Sequence, residues 1–176
     1  MTPAISISTL PHAKPVFLIG FMGSGKTHWG GRLADYFQRN FIDLDQFIEK
    51  EEQLSVQQIF EKYGEEYFRE KEALALRRLI DENNLLISCG GGAPCFHDNI
   101  KFMNEAGFTV FLEAAPKFLL QNIMKEPQAR PLLNHMSEAE MLFFVEKKLA
   151  ERNAFYQQAK LVLNAEKLDE SSFKNL

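Results

Sequence analysis

Eight consecutive residues carry the strongest chemical signal in the chain: Gly20-Phe21-Met22-Gly23-Ser24-Gly25-Lys26-Thr27. Glycines spaced this way before a lysine and a hydroxyl residue form a phosphate-binding loop. The glycines let the backbone curl until successive N–H groups point inward at phosphate oxygens. A helix that opens at the lysine then aims its positive dipole end at the same point. In such a loop Lys26 reaches the β- and γ-phosphates of a nucleoside triphosphate, and Thr27 offers its hydroxyl to magnesium. The bland alternative is a glycine-rich turn with an exposed lysine. The setting, between a short apolar run and an amphipathic pattern, disfavours it.

A phosphate loop binds a nucleotide but does not say what is done with it. Candidates for an acceptor site lie further along. Phe41-Ile42-Asp43-Leu44-Asp45 ends an apolar run with two carboxylates. Two apart on an extended chain, they point to the same side, at the carboxyl edge of a parallel sheet and so beside the phosphate loop. One can hold magnesium through water while the other takes the proton of an attacking hydroxyl. Arg69 and Glu72 stand three apart on a predicted helix, the spacing at which a carboxylate steadies a guanidinium fork for a substrate carboxylate. By spacing alone that pair is more often an ordinary surface ion pair. Ser88-Cys89-Gly90-Gly91-Gly92-Ala93 follows a third apolar run, and its glycines let a ligand touch main-chain atoms. It lacks the aspartate that commonly ends such a strand as a magnesium anchor, which shifts that task to Asp43.

Five short apolar runs must position these groups: Val16–Ile19, Phe41–Ile42, Leu85–Ile87, Thr109–Leu112 and Leu161–Leu163. Helical patterns alternate with them, which predicts an α/β fold on a parallel sheet. Trp29, Leu33 and Phe37 recur every four residues, and Met141, Leu142, Val145 and Leu149 make a second stripe. Ser55 and Gln58 fit a capping box for a helix through Tyr63; Gly64 is its stop, and a longer helix follows from about Glu65 to Asp81. Residues 1–14 read as an N-terminal tail and 15–176 as one domain, with a proline-punctuated, mobile loop over roughly 125–136.

Six motifs in order (GFMGSGKT, FIDLD, IF-x3-GE-x2-FR-x2-E, CGGGA, ARPLL and ERNAFY) resemble shikimate kinase across nearly the whole chain. The resemblance implies a three-layer P-loop kinase fold, with a five-stranded parallel sheet, helices on both faces and a mobile lid. It also implies ATP-dependent phosphorylation of the shikimate 3-hydroxyl in aromatic amino-acid biosynthesis. By position, Gly23, Ser24, Gly25, Lys26, Thr27 and His28 would hold ATP, with Thr27 and Asp43 serving Mg2+. Asp45 would bind the acceptor hydroxyl and help remove its proton. Arg69 and Arg152 would grip the shikimate carboxylate, Glu72 would orient Arg69, and Gly90, Gly91 and Gly92 would line the ring. Arg130 matches the lid arginine that closes over the transferring phosphate, which makes Asp45, Lys26 and Arg130 the expected catalytic set. His28 departs from the serine or threonine common at its position, and Gln121 and Asn122 stand where an arginine often meets the adenine.

The remaining composition mostly excludes. A net charge of −4 argues against a nucleic-acid or anionic-membrane surface. No long apolar stretch suits a membrane span, and the N-terminus does not read as a signal peptide, which suggests a cytoplasmic protein. Cys89 and Cys95, with five residues between them, are expected as reduced thiols, and four scattered histidines show no metal spacing. Leu142-Phe143-Phe144 reads as a buried helix face. The family suggests a monomer whose partners are shikimate and ATP. The runner-up activity is another small-alcohol kinase, such as a gluconate kinase; Arg69, Arg152 and the glycine run fit a carboxylated ring better. A catalytically inactive nucleotide-binding module has no chemical need for both halves of the site.

Overall fold

Val16–Ile19 forms the central strand β1, with all four residues shut off from solvent. Unbroken burial is what a parallel strand covered on both faces demands, and it explains the apolar run. The computed structural model describes residues 13–125 and 136–175. Most of the expected tail and nearly all of the expected lid, Arg130 included, lie outside the described residues.

Four further strands follow: β2 (Asn40–Asp43), β3 (Leu85–Ser88), β4 (Phe108–Glu113) and β5 (Leu161–Asn164). The sheet order is β2-β3-β1-β4-β5 and every pairing is parallel. Burial is complete along β1 and β3, whereas the edge strand β5 alternates between half-buried and exposed residues. The chain steps from β1 out to the edge at β2, then advances through β3, β4 and β5. Right-handed crossovers therefore put α1 (Lys26–Tyr36) on one face and α3 (Val56–Leu79) with α4 (Asn99–Ala106) on the other. The remaining helices are α2 (Leu44–Glu52), α5 (Pro116–Lys125) and α6 (Glu138–Tyr156). Register aligns Leu18 and Asp43 each with Ser88, so the turns after β1, β2 and β3 emerge together at the carboxyl edge.

The expected capping box begins α3: Ser55 Oγ accepts from Gln58 N–H at 3.2 Å, and Gln58 Oε1 accepts from Ser55 N–H at 2.8 Å. Gly64 leaves helical geometry at φ 86°, ψ 171°, kinking the rod where the stop was expected. Two expectations fail. Asp45 is not an extended residue, because β2 ends at Asp43 and Asp45 lies in the first turn of α2. The cause is Asp43 itself, whose Oδ1 accepts the N–H groups of Asp45 at 3.1 Å and Gln46 at 3.3 Å and so turns the chain into a helix. Phe143 is 68% exposed. Val145 is buried with Met141 and Leu149 packed against the core, and Phe143 falls between them on the opposite face of the helix.

Candidate active site

The phosphate loop joins β1 to α1 as its sequence requires. Gly23 adopts φ 82°, and a Cβ there would stand 2.6 Å from Leu119 O, so α5 packs directly on loop backbone. Asn122 of α5 donates to Gly23 O at 2.9 Å. That side chain, in the neighbourhood where the family commonly carries an arginine, braces the loop. Lys26 Nζ donates to Gly20 O at 2.8 Å and Phe21 O at 2.9 Å, which holds the ammonium across the loop. Gly25 at the N-cap of α1 makes no side-chain cap, and the positive end of the helix dipole faces the loop. Ser24 is buried inside the loop. His28 is exposed, its ring edge-on to Trp29 at 5.0 Å.

Thr27 and Asp43 come together across the α1–β2 junction, with Thr27 Oγ1 donating to Asp43 Oδ2 at 3.1 Å. A hydroxyl and a carboxylate are hard oxygen donors, and magnesium characteristically takes only one or two protein ligands beside phosphates and water. The pair fits that ion. Among the described residues no group of three or more His, Cys, Asp or Glu side chains could hold a metal by itself.

The three glycines after β3 each face a different charged group. A Cβ on Gly90 would lie 2.7 Å from Asp45 Oδ1 and 3.0 Å from Glu72 Oε1; on Gly91, 3.3 Å from Arg152 Nη1; on Gly92, 2.5 Å from Arg69 Nη2. Any side chain at Gly90 or Gly92 would displace the carboxylates or the guanidinium. Gly91 also adjoins the phosphate loop, its Cβ position being 3.5 Å from Gly20 O. The residues that sequence reasoning assigned to separate tasks thus converge on one crevice, although Arg69 and Arg152 come from helices far apart in the chain.

Arg69 is buried, and its Nη1 donates to Glu72 Oε2 at 2.9 Å. Its Nε and Nη2 both donate to Glu65 Oε1, at 3.1 and 3.0 Å. Glu65 was missed by sequence reasoning, although its i,i+4 spacing to Arg69 was available. Tyr156, whose hydroxyl donates to Gly91 O, was also missed; its buried ring stacks on Phe111 at 5.0 Å. Arg152 lies over the ring of Phe21 at 5.5 Å.

Two carboxyl oxygens, Asp45 Oδ1 and Glu72 Oε1, are buried with no hydrogen-bond partner among the described residues. Burial raises the Asp45 pKa to about 6, helped by the Asp43 charge and opposed by Lys26 and Arg69. Burial likewise lifts Glu72 to about 7 against the pull of Arg69, with the Asp45 charge adding to the rise. Both folded-state values exceed those of the unfolded chain, so between about pH 4 and pH 7 these two groups bind more protons in the native protein than in the unfolded one. Stability of the ligand-free protein is therefore expected to fall as pH rises through that window. Thermal midpoints measured from pH 5 to pH 8 check this, and Glu72→Gln should flatten the slope; a midpoint that climbs over the range would contradict it.

Comparison with known proteins agrees with this geometry. The family model for shikimate kinase matches residues 22–175. The curated shikimate kinase of Phocaeicola vulgatus is 42% identical over 155 residues, covering 88% of this chain and 89% of that protein. The crystal structure of shikimate kinase from Bacteroides thetaiotaomicron superposes with a TM-score of 0.86 at 39% identity, covering 92% of this chain and 93% of that one. Shikimate kinase from Acinetobacter baumannii in complex with shikimate gives a TM-score of 0.78 at 29% identity, covering 98% of this chain and 92% of that chain.

Proposed function

This chain belongs to the shikimate kinase family, and from that premise we propose that it transfers the γ-phosphoryl group of ATP to the 3-hydroxyl of shikimate, giving shikimate 3-phosphate and ADP for chorismate and aromatic amino-acid biosynthesis. The observation that carries the reading is the crevice itself. A carboxyl oxygen of Asp45 with no hydrogen-bond partner among the described residues and the guanidinium groups of Arg69 and Arg152 surround one glycine run, which touches the phosphate loop through Gly91. A small ring acid that carries hydroxyls on the ring carbons beyond its carboxylate matches that spread of charge.

In this reading the carboxylate of shikimate pairs with Arg69 and Arg152, and its ring lies along Gly90, Gly91 and Gly92. Glu72 holds Arg69 in place. Asp45 accepts a hydrogen bond from the 3-hydroxyl, orients it and takes its proton as the new O–P bond forms. The bond from the γ-phosphorus to its bridging oxygen breaks, and ADP leaves. Lys26 and the N–H groups of Gly23, Ser24 and Gly25 hold the phosphates, with His28 flanking the nucleotide. Arg130, outside the described residues, adds positive charge to the transferring group. When bound, Mg2+ held by Thr27 and Asp43 supplies positive charge against the phosphate oxygens. The enzyme works as a cytoplasmic monomer on two small molecules, without a nucleic-acid or membrane partner; a net charge of −4 disfavours an anionic partner surface.

ADP release by the purified protein with magnesium and ATP tests the proposal, comparing shikimate, gluconate and no acceptor, with mass analysis of the product. Phosphorylated product with shikimate alone is expected. Transfer to gluconate instead would mean the two arginines are misread, and nucleotide binding without transfer to any acceptor would reduce the protein to a binding module. Among the described residues no specific feature favours gluconate.

A further inference from the structure

Arg69 is gripped at its edges by Glu65 and Glu72, but its face is turned to an aromatic ring that neither the loop motifs nor the proposed mechanism uses. Phe96 places its ring 4.6 Å from the Arg69 guanidinium carbon, closer than Phe68 at 5.3 Å or Phe60 at 6.0 Å. Phe60 and Phe68 belong to the same helix as Arg69 and pack into or against the core. Phe96 comes from a separate loop and is 37% exposed, so it stands at the rim of the crevice.

The loop that presents Phe96 is built at some cost. His97 and Asp98, the two residues after it, both adopt left-handed backbone conformations, at φ 50° and 54°. Neither is glycine, and consecutive residues in that region persist only where their surroundings over-determine them. The surroundings do so. Asn99 is fully buried and donates from Nδ2 to Ala93 O at 2.9 Å, closing the loop across Phe96. Arg77, two turns beyond Arg69 on α3, donates to Asn99 Oδ1 at 3.0 Å and to His97 O at 3.2 Å. One helix therefore carries the guanidinium and also anchors the loop that lays a ring on it. The short 3-10 turn over Ala93–Cys95 links this loop to Gly92, whose backbone already lies against the same guanidinium.

We propose that Phe96 is a positioning and affinity-determining residue for the acceptor, stacking on Arg69 so that its fork is fixed and partly desolvated before the acceptor carboxylate arrives. The inference rests on the proposed role of Arg69 as carboxylate ligand. A guanidinium held against a π-face loses little freedom on binding, and shielding from water strengthens its pairing with an anion. The benefit falls on acceptor binding, because the group Phe96 stacks on is Arg69, the proposed carboxylate ligand.

Three substitutions separate a stacked ring from mere space filling: Phe96→Ala, Phe96→Leu and Phe96→Tyr. Phe96→Leu keeps an apolar side chain and the loop but has no π-face. The expected result is a roughly tenfold rise in KM for shikimate in both Phe96→Ala and Phe96→Leu. The loss should fall on that KM and not on kcat or on KM for ATP, and Phe96→Tyr should restore near-parental values. If Phe96→Leu behaves as the parent, the ring face does nothing and the proposal is overturned. It is equally overturned if KM for ATP and kcat deteriorate along with KM for shikimate, since that pattern belongs to a loosened loop. The parent protein separates this from the functional reading: failure to phosphorylate shikimate at all removes both, whereas normal turnover with insensitive Phe96 variants removes only this inference.

Discussion

Asp45→Asn is expected to lower kcat for shikimate phosphorylation by about 10²- to 10⁴-fold while leaving the protein folded. The amide keeps the size of the side chain and can still accept a hydrogen bond from the 3-hydroxyl, but it cannot take the proton. The carboxylate is held in a place unfavourable to its charge: Oδ1 is buried with no partner among the described residues, and the pKa stands near 6. A base with that pKa is ionised at neutral pH yet still basic enough to accept a proton in the transition state. The parental kcat/KM should accordingly fall on the acid side below about pH 6. The same raised pKa means that ionised Asp45 costs stability, on the order of 3 kcal/mol at neutral pH. Asp45→Asn should therefore melt at or above the parental temperature at pH 8 while being nearly inactive. Steady-state rates with both substrates saturating, paired with thermal melts, check both halves. Retention of more than a tenth of parental kcat would remove Asp45 from the proton-transfer role.

The stability that ionised Asp45 forfeits also explains why its role was only half legible in the sequence. FIDLD announces two carboxylates at a strand end, but a period-2 reading gives them a common side and one environment. The structure separates them because Asp43 satisfies two helix N–H groups and the Thr27 hydroxyl, while Asp45 rides into the crevice on the first turn of α2. The N-cap role of Asp43 proves compatible with a place in the site. The strands were plain for a simpler reason: β1, β3 and all of β4 but its exposed last residue are buried, and their runs are accordingly mostly apolar. Gly64 was plain because its φ of 86° is one that few other residues tolerate. Tyr156 and Phe96 were not, because each acts on a partner set by tertiary packing, and a residue 65 positions away, as Gly91 is from Tyr156, leaves no local pattern; Glu65 differs, since its i,i+4 spacing to Arg69 is local and legible.

Lys26→Met should reduce kcat by roughly 10²- to 10³-fold with little change in thermal midpoint. The argument begins from what the ammonium does without nucleotide. Its bonds to Gly20 O and Phe21 O span the loop, so a positive charge stands where the β- and γ-phosphate oxygens are proposed to lie. Transfer of a phosphoryl group involves little covalent work by the protein, and stabilising negative charge on the moving oxygens is the main task. Methionine matches the reach of lysine and keeps the aliphatic packing but supplies no donor and no charge. Lys26 is only partly buried, and its bonds to the two carbonyls lie in a partly buried setting, so their loss is expected to cost little stability. Folding is thereby spared, and the loss concentrates on the chemical step. Lys26→Arg makes the sharper comparison: it restores charge as a broad, planar group that does not fit the narrow turn held by Gly23 against α5. Little recovery is expected from it. A Lys26→Met variant that kept kcat within threefold of parental would show that the phosphate loop binds nucleotide without contributing to transfer. The acceptor crevice would then have to find its catalytic charge elsewhere.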